Sequence, residues 1–408
     1  MKVIQINAVY NLGSTGRTTA ELHNALLNNG IESYVAYSKT NKPDDKNLYH
    51  IGSALDVKLH GLLSRISGKQ GYFSHLATRD LIKFIDKINP DVVHLRNLHG
   101  NYINLPMLMK YLADKKISVV ITFHDFWFIT GKCMHFISSD CSKWQERCGN
   151  CPNLQDGNRT WFFDKTEELL KDKIQMFSKI DKLALIGVSK WTTSQIEKSP
   201  IARYADIVKL IYNWIDLDVF KPINADDIRE KYNLTDKKIL LGVSNVWNNK
   251  KGLDAFLGIS NLLKDDEIIM LVGNKPDIDL PQNIISVPTT EDINELVKYY
   301  NAADVFLQLS KEETFGKVVA EALACGTPVV TNSYTANPEL VNTSCGCVVS
   351  DLSADTVYSS IETVLNNGKK SYSDACIKFA KENFDSNKNM GEYLKLYSDL
   401  STEKSNGN

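Results

Sequence analysis

VFLQLSKEETFGKVVAEALACGTPVV, Val305 to Val330, spells a strand, a loop, a helix and a second strand in one run. Val305–Leu309 and Pro328–Thr331 are short and mostly apolar, as buried strands are. Between them Lys317–Ala324 has helical spacing, opened by Gly316 and closed by Gly326 ahead of Pro328. Working outward, the same rhythm gives strands at Ile239–Ser244, Glu267–Val272 (closed by Gly273) and Ile284–Val287. Helices fall at Gly252–Leu263 and about Asp292–Asn301. An earlier series has strands at Lys2–Val9, Ile31–Tyr37, Asp91–Leu95, Ser118–Phe123, Leu183–Val188 and Asp206–Ile211, with a helix from about Thr18 to Asn28. Strands alternating with helices form a parallel sheet covered on both faces. Two such series predict two Rossmann-like, doubly wound α/β domains, each with its ligand edge at the strand C-termini and facing the other across a central cleft.

The expected boundaries are 1–212 for the first domain, 213–222 for a linker (NWIDLDVFKP) and 223–385 for the second domain. Residues 386–408 make a C-terminal helix and polar tail, the helix packing back toward the first domain and Ser401–Asn408 fraying. Residues 125–163 interrupt the first series with an aromatic- and Cys-rich insertion that follows a strand C-terminus, the functional edge of such a sheet.

With 43% hydrophobic and 24% charged residues the 408-residue chain is globular, and its net charge of −2 speaks against a nucleic-acid partner. The start, MKVIQINAVY, lacks the apolar core of a signal peptide, and no run is long enough to span a bilayer. A cytoplasmic protein is expected, with peripheral contact at the inner face of the cell membrane as the other place it could work. Leu55–Ser67 (LDVKLHGLLSRIS) sets Leu55, Leu59, Leu62, Leu63 and Ile66 on one helical face flanked by Lys58 and Arg65. Such a stripe could lie on a membrane, but packing into the core is the expected explanation.

Glu313 precedes the amides that open the Lys317 helix, near Phe315, Gly316 and Lys317. Free amides at the positive end of a helix dipole suit a phosphate, and a carboxylate beside them can accept hydrogen bonds from sugar hydroxyls. Glu321, inside the helix, can grip a ribose diol. As an isolated pair, these glutamates read instead as a capping carboxylate and a solvated helix residue. Upstream, SNVWNNKKGL (Ser244–Leu253) puts Lys250 and Lys251 between a strand and a helix. Two adjacent lysines there can meet an anion, although Lys-Lys-Gly alone is a solvated turn.

In the first series, Gly13-Ser-Thr-Gly16-Arg17 falls short of the G-x-G-x-x-G dinucleotide fingerprint and by itself is a tight turn. His124 and Asp125 end a strand, with Asp125 either orienting His124 or capping the loop. His94 and His99, in HLRNLHG, read as loop-packing residues.

The Glu313-x7-Glu321 spacing, Phe-Gly after the first glutamate, and E-A-x-A-x-G-x-P-V from the second resemble the signature of glycosyltransferase family 4. The likeness extends over nearly the whole chain and points to bacterial enzymes of exopolysaccharide and capsule assembly, of the colanic-acid type. It implies the GT-B fold and a retaining transfer from a nucleotide-diphosphate sugar to a glycan or polyprenyl-diphosphate-linked acceptor, with no cofactor needed for the chemistry. Carried over by position, Glu313 contacts sugar hydroxyls, Glu321 the ribose, Lys251 the diphosphate and His124 the transferred sugar. Gly16 and Arg17 approach the donor phosphates or the acceptor, while Lys250, Phe315, Gly316 and Lys317 complete the donor site. The pattern breaks at Asn245, where many relatives carry a second basic residue; an asparagine can donate a hydrogen bond but brings no charge. A non-catalytic sugar-nucleotide-binding subunit and a GT-B sugar-nucleotide epimerase are the alternatives.

Cys133, Cys141, Cys148 and Cys151 form a local cluster whose C-x2-C half suits tetrahedral zinc. In a reducing compartment, a closed structural zinc site and four reduced thiols packing the insertion stand as equal readings.

Overall fold

The computed structural model describes residues 1–40, 45–290 and 292–402. They form two compact units, one of Met1–Ile211 with the chain from Met390 onward, the other Tyr212–Asn389.

The first unit is built on a sheet of seven parallel strands: β1 (Lys2–Ile6), β2 (Glu32–Tyr37), β3 (Leu48–His50), β4 (Val92–Leu95), β5 (Ser118–Phe123), β6 (Leu183–Gly187) and β7 (Ile207–Leu210). Their order is β3-β2-β1-β4-β5-β6-β7. The inner strands β4, β5 and β6 are buried at every position, which is why they spell near-continuous apolar runs. The second unit repeats the plan with β8 (Lys238–Val246), β9 (Glu267–Asn274), β10 (Ile284–Val287), β11 (Val305–Gln308), β12 (Val329–Asn332) and β13 (Gly346–Val349), in the order β10-β9-β8-β11-β12-β13. In each sheet the strand order reverses beside the first strand, the place where such folds bind ligands.

Two edge strands, β3 and β13, escape the sequence reading. LYH is half-buried along its length and GCVV only partly buried, so neither shows the apolar run of a central strand. The insertion after β5 contains three short 3-10 turns, Trp127–Ile129, Ile137–Ser139 and Lys143–Gln145. The last helix, Ser386–Thr402, belongs from Met390 onward to the first unit and is held there by hydrogen bonds between Tyr397 Oη and His94 Nδ1 (2.7 Å), between Tyr393 Oη and Thr122 Oγ1 (2.8 Å), and from Ser118 Oγ to the Leu400 carbonyl (3.3 Å). Ser401 belongs to that helix; beyond Thr402 the expected frayed tail lies outside the described residues.

The expected core stripe of the Ala54–Ser67 helix is corrected by the structure. Leu55, Leu59, Leu62 and Ile66 are exposed, and the helix buries His60 and Ser64 instead. Periodicity reports that a face is apolar; it does not report what the face meets.

Candidate active site

In the second unit the end of β8 runs into a short 3-10 turn, Asn249–Lys251, before the helix Leu253–Ser260. Asn248 opens the turn, its Oδ1 accepting from the amides of Lys250 (2.9 Å) and Lys251 (3.1 Å). Gly252 closes it at φ +79°, where a β-carbon would stand 2.4 Å from the Leu309 carbonyl oxygen. The glycine therefore lets this turn press against the end of β11. Two further bonds hold it there: the Lys250 carbonyl accepts from the Lys311 amide at 3.0 Å and from Ser310 Oγ at 3.2 Å.

The same turn delivers Lys251 to the acidic loop. Its Nζ donates to Glu313 Oε1 at 2.6 Å, with side chains 38% and 18% exposed. The loop is braced from the far side by Thr335 Oγ1, which accepts from the Glu313 amide at 3.0 Å. Asn332 and Asn337 both donate to the Ser310 carbonyl at 2.9 Å. None of these three bracing residues was foreseen, because Asn332 ends the next strand, Thr335 and Asn337 follow it, and none carries a motif of its own.

Gly316, at φ +87°, is the N-cap of the helix Lys317–Ala324; a glycine has no side chain to cap it, and the first turn carries no acid. An uncapped positive helix end beside Lys251 can accept an anion. Phe315 is buried against Tyr212 and Phe384, with ring centroids 6.1 and 5.4 Å away, so it anchors the loop. Lys317 is half-buried at the helix start, while Lys250 and Asn245 are exposed, Asn245 near the end of β8. Glu321 is not a solvated helix residue: it is 6% exposed, and Oε2 accepts from Tyr300 Oη at 2.7 Å. Burial, then the Glu321 charge, pushes the Tyr300 phenol well above its ordinary range, so it remains a donor.

In the first unit the helix begins at Gly13 rather than near Thr18, so Gly16 and Arg17 lie within the helix and not in a loop. Gly13 has φ +62°, no side chain caps this start and no acid lies in its first turn. Gly16 is buried, and its carbonyl accepts from the Asn11 amide at 3.0 Å; Arg17 is half-buried.

His124, at the end of β5, meets a residue that the sequence reading passed over. Arg96, just beyond β4, is buried; Nη1 donates to Gln5 Oε1 (2.9 Å), and Nη2 to Thr18 Oγ1 (2.9 Å) and His124 Nε2 (2.9 Å). A guanidinium only donates, so Nε2 must present its lone pair and Nδ1 is the nitrogen that carries the ring proton. Arg96 thus fixes the His124 tautomer.

His94 is no loop residue: it is fully buried in β4, with Nε2 2.8 Å from Thr122 Oγ1, and stacks on Tyr393. Burial first, then the nearby charge of Arg96, drives its pKa well below the ordinary histidine value. His99 pairs with Asp125, Nε2 to Oδ2 at 2.9 Å. Asp125 also accepts from the Trp127 amide at 2.8 Å and from Asn97 Nδ2 at 3.0 Å, so it caps the start of the insertion.

Cys133, Cys141, Cys148 and Cys151 line a single cavity of about 20 Å³ together with Phe136 and Trp144. Among the described residues, no group of three or more His, Cys, Asp or Glu side chains is arranged to hold a metal ion.

A family model described as Glycosyltransferase Family 4 matches residues 15–219, half of the chain, and one described as Glycosyl transferases group 1 matches 237–367. The chain belongs to glycosyltransferase family 4. This glycosyltransferase is 21% identical over 380 residues to a putative colanic acid biosynthesis glycosyl transferase, WcaC, of Escherichia coli K12, covering 86% of this chain and 88% of that one. Among solved structures it is similar to a sucrose-phosphate synthase from Thermosynechococcus elongatus, with a TM-score of 0.70, 16% identity and coverage of 98% and 99%. It is also similar to the Anabaena protein HepE in complex with UDP, with a TM-score of 0.69, 13% identity and coverage of 98% and 100%. These likenesses and the two parallel sheets give this family 4 glycosyltransferase the GT-B fold.

Proposed function

We propose that this glycosyltransferase moves a sugar, with retention of anomeric configuration, from a nucleotide-diphosphate donor to a glycan or a polyprenyl-diphosphate-linked acceptor in polysaccharide assembly. The observation that carries the reading is the Lys251–Glu313 pair set beside the uncapped Lys317 helix. A bound donor would place its diphosphate against Lys251 and the helix amides and its sugar hydroxyls on Glu313, so that both members of the pair gain new partners. Lys250 and Lys317 add positive charge as the diphosphate leaves, and no metal ion is required for that role. Glu321, steadied by Tyr300, takes the ribose, and Asn245 donates a neutral hydrogen bond. The acceptor hydroxyl attacks from the face the diphosphate leaves and gives its proton to a donor phosphate oxygen. His124, oriented by Arg96, hydrogen-bonds the transferred sugar; Gly16 and Arg17 serve the phosphates or the acceptor. The name of the colanic acid relative supports a polysaccharide pathway, and the UDP held by HepE supports a nucleoside-diphosphate donor.

Glu313→Ala and Lys251→Ala should each lower transfer by about 100–1,000-fold with an unchanged melting temperature, measured as release of nucleoside diphosphate and glycosylated product. Near-wild-type turnover in both would sink the reading. Donor binding without any product from a panel of acceptors would favour a non-catalytic subunit, for which the uncharged Asn245 gives some ground.

We also propose a structural zinc for Cys133, Cys141, Cys148 and Cys151. The four thiols already surround one cavity, and the buried Lys132 and Lys173 could balance thiolate charge. Their arrangement among the described residues is not yet a coordination sphere, so the thiols would have to draw together around the ion. Protein purified without chelators should hold about one zinc per chain; metal-free protein with four titratable thiols rejects the site.

A further inference from the structure

The Ala54–Ser67 helix leaves most of its large apolar side chains facing outward. At about 100° per residue, Leu55, Leu59, Leu62 and Ile66 project within about 60° of one another. Their exposures are 75%, 53%, 42% and 39%. Against the protein the helix sets Val57, partly buried on the core, with the buried Ser64 and His60, whose Nδ1 lies 2.8 Å from Ser74 Oγ.

A second apolar element lies beside it. Trp161, Phe162 and Phe163 are exposed by 46%, 69% and 53%, although a folded chain usually hides such side chains. The triplet is pinned to the last turn of the helix: the Trp161 amide donates to the Arg65 carbonyl at 2.7 Å. At Gly68 (φ +75°), which ends the helix, a β-carbon would stand 2.5 Å from the Phe163 carbonyl oxygen, so the backbones meet there. A leucine stripe and an aromatic triplet thus belong to one surface of the first unit.

The charge at this surface runs against that of the chain. Residues 54–69 and 159–165 hold five lysines and arginines against two aspartates, while the whole chain is net −2. Lys69 and Lys165 both pair with Glu168. Among the described residues, Lys58, Arg65 and Arg159 have no carboxylate within ion-pair distance. Lys58 and Arg65 flank the stripe on one side. Asp56 is engaged by Ser74 Oγ at 2.6 Å.

We propose that this surface docks on an anionic lipid bilayer. The helix would lie in the interface with its leucines among the acyl chains, the aromatic rings would sit at headgroup depth, and the three unpaired cations would face lipid phosphates. The helix does not span: no described helix is long and apolar enough to cross a membrane. A protein partner or second copy could cover apolar area as well, but unpaired cations beside the stripe match a surface of anionic headgroups.

The test uses the full chain without donor, so its outcome is separate from that of the transfer reading. Wild-type protein should co-sediment with vesicles of phosphatidylglycerol and phosphatidylcholine, less with phosphatidylcholine alone, and less at high salt. Trp161 emission should shift to the blue on binding, and Trp161→Phe should remove that component. Leu59→Glu with Phe162→Glu should weaken binding on the order of tenfold or more with an unchanged melt. Lys58→Glu with Arg65→Glu should weaken it toward phosphatidylglycerol vesicles. The proposal is overturned if the wild type stays in the supernatant, or if the well-folded apolar variant sediments like the wild type. It is also overturned if light scattering finds a dimer that this variant dissolves while neither binds vesicles. Should the variant fail to fold, the wild-type sedimentation and emission shift still decide.

Discussion

Both sheets place their first strand centrally and their fourth beside it, yet the charged groups beyond the strand ends sit in different media. In the first unit Arg96 is buried and shared among Gln5, Thr18 and His124, and Asp125 is locked between His99 and the Trp127 amide. In the second unit Lys251 and Glu313 stand partly in water, and the parts beneath them are uncharged: a glycine, asparagine side chains and helix amides. Buried charges cannot be removed without orphaning their partners, whereas half-exposed charges can. Charge in the first unit is therefore bound up with stability, and charge in the second remains available to a ligand.

Arg96→Ala is the strongest way to break that contrast. Removing the guanidinium leaves a cavity and strands acceptors on Gln5, Thr18 and His124, which should cost about 3–5 kcal/mol in chemical denaturation. A variant as stable as the wild type would remove the contrast. Gly252→Ala comes next. It adds a β-carbon 2.4 Å from the Leu309 carbonyl oxygen at φ +79°, and should cost about 2–4 kcal/mol. Transfer should fall as well, because Lys251 moves with the turn; by comparison, Lys251→Ala should change stability by no more than about 1 kcal/mol.

Tyr300→Phe sharpens the comparison, since Glu321 is a buried charge in the second unit and should behave like those of the first. Losing that donor should cost about 1.5–3 kcal/mol, and an unchanged melting curve would show that exposure is not what divides the two sets. The smallest effect concerns pH. Burial pushes the Asp125 carboxyl up, but His99 and the Trp127 amide outweigh it and hold the pKa below the ordinary 3.8. The unfolded chain then binds the proton first, so the stabilisation is full above pH about 4 and fades as pH falls through the folded value. Asp125→Asn should flatten that acid limb of the stability curve, measured by denaturation at stepped pH.

Much of this was legible in order of chain. The acidic loop, the Gly316 opening and the Lys-Lys-Gly turn are contiguous stretches whose local geometry follows from their own residues. The inner strands announce themselves by apolar runs, because both faces of a parallel sheet are covered. Arg96 stayed hidden because nothing in HLRNLHG shows that the strands before and after it bring Gln5, Thr18 and His124 to one point. Its place directly beyond an all-buried strand was the available signal.

Composition, periodicity and turn residues thus determined two βαβ series, the loop carrying Glu313 and the helix start beside it, since these depend on contacts between near neighbours in the chain. The tertiary structure decided which distant residues meet: Lys251 with Glu313, Arg96 with His124, Tyr300 with Glu321. It also decided that the leucines of the Ala54–Ser67 helix face outward. Spacing fixes which side chains share a face, while the medium that face meets depends on how the rest of the chain packs around it.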